Sequence, residues 1–117
     1  MGLEEINSHP VWYHLTAYPK ICLCGSTKFK EDFFKWAKFF TLQGCIVTMP
    51  MVFMHAGDSI NEEQKVKLDE LHKAKIKDAD GIFVINKNGY IGESTRSEIQ
   101  FAKQLNKKIL YLEELKS

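Results

Sequence analysis

Apolar residues along the chain fall into short unbroken runs separated by longer segments with helical period. Lys20-Ile21-Cys22-Leu23-Cys24 and Gly81-Ile82-Phe83-Val84-Ile85-Asn86 are continuous runs, the pattern of strands buried on both faces. Cys45-Ile46-Val47-Thr48, leading to Pro50, and Lys108-Ile109-Leu110-Tyr111-Leu112 add two more strands. A helix from about Phe29 to Gln43 places Phe29, Phe33, Trp36, Ala37 and Phe40 on one face and stops at Gly44. Further helices are predicted from about Asn61 to Lys77 and from Ser94 to Asn106. Short strands alternating with such helices imply right-handed βαβ units. The expected fold is α/β: a three-layer sandwich on an open parallel sheet of four to five strands, Rossmann-like or flavodoxin-like.

Residues 1–19 stand apart, with Pro10 and Pro19 bracketing an aromatic stretch that lacks helical period. They read as an N-terminal arm or edge extension, and residues 20–117 as the α/β domain. Phe34, Phe39 and Leu42 fall off the main stripe of the first helix. That second apolar face predicts a homodimer contact or a cover by the arm.

Composition narrows the classes. A chain of 117 residues that is 44% hydrophobic makes one domain with a core that needs no staples. A formal charge of +1, with both signs interspersed, gives no footprint for a nucleic acid polymer or an anionic membrane. No apolar run approaches the ~20 residues of a membrane span. An odd count of three cysteines and no signal-peptide pattern point to a reducing cytoplasm. Cys22 and Cys24 alternate on one strand and face the same way, unsuited to bonding each other. A zinc site needs a second ligand pair at proper spacing, and the sequence offers none, so neither metal nor organic cofactor is expected.

Candidate chemistry concentrates at strand ends. After the Gly81–Asn86 strand, the run Gly92-Glu93-Ser94-Thr95-Arg96-Ser97-Glu98 opens the last helix. This is the carboxyl edge of the sheet, where open α/β folds bind ligands. Glu98 lines up with Ala102 and Leu105, a carboxylate at the head of an apolar stripe. It suits a nucleophile toward a sugar, but Thr95-x-x-Glu98 also fits a capping box. Gly25-Ser26-Thr27-Lys28 follows the first strand, where amides, hydroxyls and a helix start serve a phosphate or merely cap a helix. On the middle helix, Leu68, Leu71, His72, Lys75 and Ala79 share a stripe, with Asp69 at its edge. His72 there is either a satisfied core histidine or a catalyst, and Lys75 either needs an anion or extends to solvent. The Met51–Ser59 loop is apolar for a loop. Met51, Phe53 and Met54 stack on a flat ring, with His55 or Asp58 at its polar edge, or pack under the sheet edge.

Three marks in this order resemble the nucleoside 2-deoxyribosyltransferase superfamily, nearest to the 2'-deoxynucleoside 5'-phosphate N-hydrolases. They are Cys24-Gly25-Ser26 after the first strand, Asp78-Ala79-Asp80 leading into an apolar strand, and Glu98-Ile99-x-x-Ala102 after a glycine-containing loop. The resemblance spans about Lys20 to Leu112. It implies that Glu98 attacks C1' of the sugar to give a glycosyl-enzyme intermediate, which water or a second base resolves. It implies that Ser26 and Lys28 take the 5'-phosphate, with Lys in place of the family's bidentate Arg. The Gly89–Thr95 loop matches a second phosphate-contacting segment, making Gly92, Ser94 and Thr95 binding candidates. The family's Asp at the leaving base is matched by His72, with Asp69 one turn earlier. Histidine serves as a general acid near neutral pH; the alternative is a binding relative without catalysis.

The expected site is therefore Glu98, His72 and Asp69 as catalytic residues. Gly25, Ser26, Thr27, Lys28, Asn86, Gly92, Ser94 and Thr95 are the expected substrate contacts. The expected function is cleavage of the N-glycosidic bond of a small nucleoside or its 5'-monophosphate, with deoxyribosyl transfer or non-catalytic nucleotide sensing as alternatives.

Overall fold

The computed structural model describes residues 18–115, so the proposed arm lies outside the described residues apart from Tyr18 and Pro19. Strand β1 (Lys20–Gly25) leads through a short 3-10 turn into helix α1 (Lys30–Leu42) and strand β2 (Ile46–Thr48). Helix α2 (Glu62–Asp78), strand β3 (Gly81–Ile85), helix α3 (Glu93–Gln104) and strand β4 (Lys108–Tyr111) follow. The four strands are all parallel, in the order β2-β1-β3-β4. The fold is thus the expected open α/β sandwich with four strands.

Alternation along the two central strands builds the three layers. Ile21, Leu23, Phe83 and Ile85 face α1 and pack on Phe33, Trp36 and Phe40. Cys22, Cys24, Ile82 and Val84 face the opposite layer, where α2 supplies Ile76 and α3 supplies Ile99 and Ala102. Aromatic contacts dominate the first layer, with Trp36 and Phe40 each 5.0 Å from the Phe83 ring. Chain order places β1 and β3 side by side with their connections leaving in opposite directions, which opens a crevice at their carboxyl ends.

Several boundaries differ from the sequence reading. α3 begins at Glu93 with Gly92 as its N-cap, rather than at Ser94. Thr95 therefore lies inside the first turn, and no Thr95–Glu98 capping box forms. The box in this protein belongs to α2, where Asn61 and Gln64 cap each other's amides reciprocally. On α2 the buried positions are His72 and Ile76, whereas Leu71 is exposed. Of the three off-stripe residues of α1, Phe39 packs on Trp36 and Phe40, and Phe34 leans on Phe53. Leu42 stays exposed.

Candidate active site

A cavity of about 860 Å³ opens beyond the carboxyl ends of β1, β2 and β3. Its size suits a nucleoside or nucleotide. One wall is the loop after β1, another the start of α3, a third the exposed-to-buried face of α2, and the Pro50–His55 segment covers the rest.

The β1 wall is fixed by Gly25. Its φ of +152° and the 2.9 Å that would separate an added Cβ from the Ile85 carbonyl oxygen admit only glycine. Ser26 then caps the 3-10 turn, its Oγ accepting from the Lys28 amide at 3.3 Å. Thr27 Oγ1 lies 2.8 Å from His55 Nδ1 and accepts from the His55 amide, which ties the β1 loop to the Met51–Ser59 loop. That loop divides its apolar residues. Phe53 is buried against Phe33, whereas Met51, Met54 and His55 line the cavity. Asp58, itself exposed, accepts from the Phe53 amide at 2.8 Å and so caps the loop.

Glu98 occupies the second turn of α3 and faces across to α2. Its Oε1 stands 3.5 Å from His72 Nε2, with side-chain exposures of 17% and 9% respectively. That oxygen is itself buried and has no hydrogen-bond partner, and neither does His72 Nδ1. Two thiols from β1 crowd the same imidazole nitrogen. Cys24 Sγ is 3.4 Å and Cys22 Sγ 4.0 Å from His72 Nε2.

This cluster perturbs its own protonation. Burial works to lower the His72 pKa, but contacts with Cys22 and Glu98 and their charges outweigh it and carry the value up to about 10. A hydrogen bond from Cys24 lowers the Cys22 pKa against the opposing effect of burial, and His72 adds to the lowering. Burial pushes the Cys24 thiol up, and Cys22 and Glu98 push it the same way. The shifts together favour charge on Cys22 and His72 and keep the proton on Cys24.

The structure brings Glu98, His72, Asp69, Gly25, Ser26, Thr27, Gly92, Ser94 and Thr95 to the wall of this one cavity. Asp69 is exposed and paired with Lys65 at 3.2 Å. Two expected contacts lie elsewhere. Lys28 turns outward, with its Nζ 3.5 Å over the Tyr90 ring, so it reaches the cavity only through that ring. Asn86 is buried and spends both ends of its amide on the Glu113 backbone, at 2.9 and 2.8 Å. It joins the end of β3 to the segment after β4. Lys75 donates to the Met49 carbonyl at 2.9 Å, which explains a cation on a half-buried stripe.

The sequence reading missed Tyr90, the aromatic member of the α3 entry loop. It also missed the contact of Cys22 and Cys24 with His72, which spans about half the chain. Comparison with models of known protein families and with characterised proteins finds no match to this chain. Among the described residues, no helix is long and apolar enough to cross a membrane.

Proposed function

We propose that this protein is an N-glycosidase that splits the base from a nucleoside 5'-monophosphate or nucleoside through a covalent glycosyl–Glu98 intermediate. The observation that carries the reading is the state of Glu98: a carboxylate at a cavity wall, free of any capping role, with one buried oxygen lacking a hydrogen-bond partner. A carboxylate so placed is partly desolvated, as suits a nucleophile. The resemblance of Cys24-Gly25-Ser26, Asp78-Ala79-Asp80 and Glu98-Ile99-x-x-Ala102 to the deoxyribosyltransferase superfamily supports the same role.

In the first step a Glu98 oxygen bonds to C1' as the C1'–N bond breaks, and the electron pair leaves with the base. The imidazole of His72, 3.5 Å away, holds Glu98 in place, so His72 acts as a positioning residue. With His72 turned to Glu98 and the thiols, Asp69, which lines the cavity one turn earlier on α2, is the group left to face the leaving base. Water then attacks C1': its hydroxyl stays on the sugar, the C1'–O bond to Glu98 breaks and restores the carboxylate, and the remaining water proton passes to the departed base. The phosphate of a nucleotide lies toward Ser26 and Thr27 and the amides that open α3, where the helix dipole favours an anion.

A chromatographic screen of the common nucleosides and their 5'-monophosphates tests the proposal. Released base is the expected product; transfer to a second added base marks the transferase variant. One observation favours a binding protein instead: His72 stands where the family has an Asp and is occupied by two thiols and Glu98. Calorimetric binding of a nucleotide with no turnover of any substrate is the outcome that selects this reading.

A further inference from the structure

Three potential ligand atoms converge on a single imidazole nitrogen. Cys24 Sγ is 3.4 Å, Glu98 Oε1 3.5 Å and Cys22 Sγ 4.0 Å from His72 Nε2. A ring nitrogen carries at most one hydrogen, so it cannot satisfy all three. The Glu98 oxygen is accordingly buried without a hydrogen-bond partner. The ligand atoms of Cys22, Cys24 and His72 all lie within 4.8 Å of one another, and all three residues are buried.

The Cys24–His72 spacing is that of a coordination shell, and Cys22 stands slightly wider. A tetrahedral ion with bonds of ~2.3 Å to sulfur and ~2.0 Å to nitrogen and oxygen has sulfur–nitrogen edges of ~3.5 Å and nitrogen–oxygen edges of ~3.3 Å. Two thiolates and an imidazole select a borderline-soft ion such as zinc over magnesium or calcium, which prefer oxygen. His72 and Glu98 line the cavity while the thiols lie behind them, so the cavity is the path of entry.

We propose that Cys22, Cys24 and His72 form a zinc-class metal site between β1 and α2, with Glu98 beside it. Coordination forms two metal–sulfur bonds and one metal–nitrogen bond, and any thiol protons together with the proton on His72 Nε2 pass to solvent. Such an ion occupies His72 Nε2, next to Glu98, and the site stands whether or not the glycosidase reading holds.

The experiment is titration of the reduced, chelator-treated full chain with zinc, followed by competition against a chromophoric chelator, and with cobalt(II), followed by absorption. Expected are one ion per chain, a thiolate-to-cobalt charge-transfer band and the visible bands of tetrahedral cobalt. Loss of a supporting outer residue alone costs about 10–100-fold in affinity at metal sites, so Cys22→Ser and Cys24→Ser should each weaken zinc by more than ~100-fold. Cys45→Ser, on the opposite face of the sheet, should bind as the parent does. X-ray absorption at the zinc edge of the loaded parent needs no variant to fold, and should show two sulfur neighbours. No bound zinc, or a bound zinc with no sulfur neighbour, overturns the proposal.

Discussion

Glu98 Oε1 and His72 Nε2 lie 3.5 Å apart, joining the second turn of α3 to the buried face of α2. This contact decides between two roles for Glu98 that share one sequence pattern. A capping box would need Thr95 at the N-cap, but Gly92 holds that position. The carboxylate is therefore available to the cavity, and its neighbour across the gap is the His72 imidazole.

The cluster makes stability depend on pH in a definite way. The Cys22 pKa falls from 9.0 to about 5 on folding, so its contribution is present above 9.0 and lost as pH falls through about 5. The His72 pKa rises from 6.5 to about 10, so its contribution is present below 6.5 and lost as pH rises through about 10. Together they predict stability rising between about 5 and 6.5, level up to 9.0, and falling toward about 10. Urea midpoints of the parent should trace this plateau, and Cys22→Ser should lose the rise between about 5 and 6.5. A difference between the two that is flat across the whole range contradicts the thiolate–imidazolium pair.

Gly25→Ala should destabilise the fold and damage ligand binding together. The φ of +152° and the 2.9 Å approach to the Ile85 carbonyl force the β1 loop to shift. A cost of about 1–3 kcal/mol is expected in urea unfolding. An alanine variant as stable as the parent would show that the loop is not so constrained.

Asn86→Ala separates a structural residue from a binding one. It removes both amide contacts to Glu113 and leaves buried backbone groups unpaired, at about 1–3 kcal/mol. KM for any substrate should stay within about twofold of the parent. A large rise in KM with unchanged stability would return Asn86 to the site.

Glu93 stands in the first turn of α3 and lines the cavity, where its charge opposes a phosphate. Glu93→Gln should tighten nucleoside monophosphate binding by ~2–5-fold and leave the nucleoside unchanged, as expected for one charge at a helix N-terminus. Equal effects on both ligands would place the phosphate elsewhere.

Much of this architecture is legible in the chain because it rests on local period. The buried runs Ile21–Cys24 and Gly81–Ile85 and the stripe Phe33, Trp36 and Phe40 announce strands and helix without reference to partners. Glu98 and the Gly25 loop could be nominated because parallel strands put functional loops at one edge. The start of α3 was not legible, since Gly92, Ser94 and Thr95 are all acceptable N-caps and tertiary packing chooses among them. Nor was the thiol cluster, because nothing local in Cys22-Leu23-Cys24 shows that His72, 48 residues beyond Cys24, comes within 3.4 Å. Lys28 and Asn86 carry side chains suited to phosphate or sugar; one is drawn aside by Tyr90 and the other by Glu113.

The central claim is that Glu98 is the nucleophile, and the rate of base release by Glu98→Gln on the parent's best substrate tests it most directly. Glutamine keeps the size of the side chain and removes its charge. Turnover should fall by roughly 10³-fold or more, as when an enzyme loses its nucleophile, with the substrate still bound and the fold intact. Base release at the parent's rate would contradict the account.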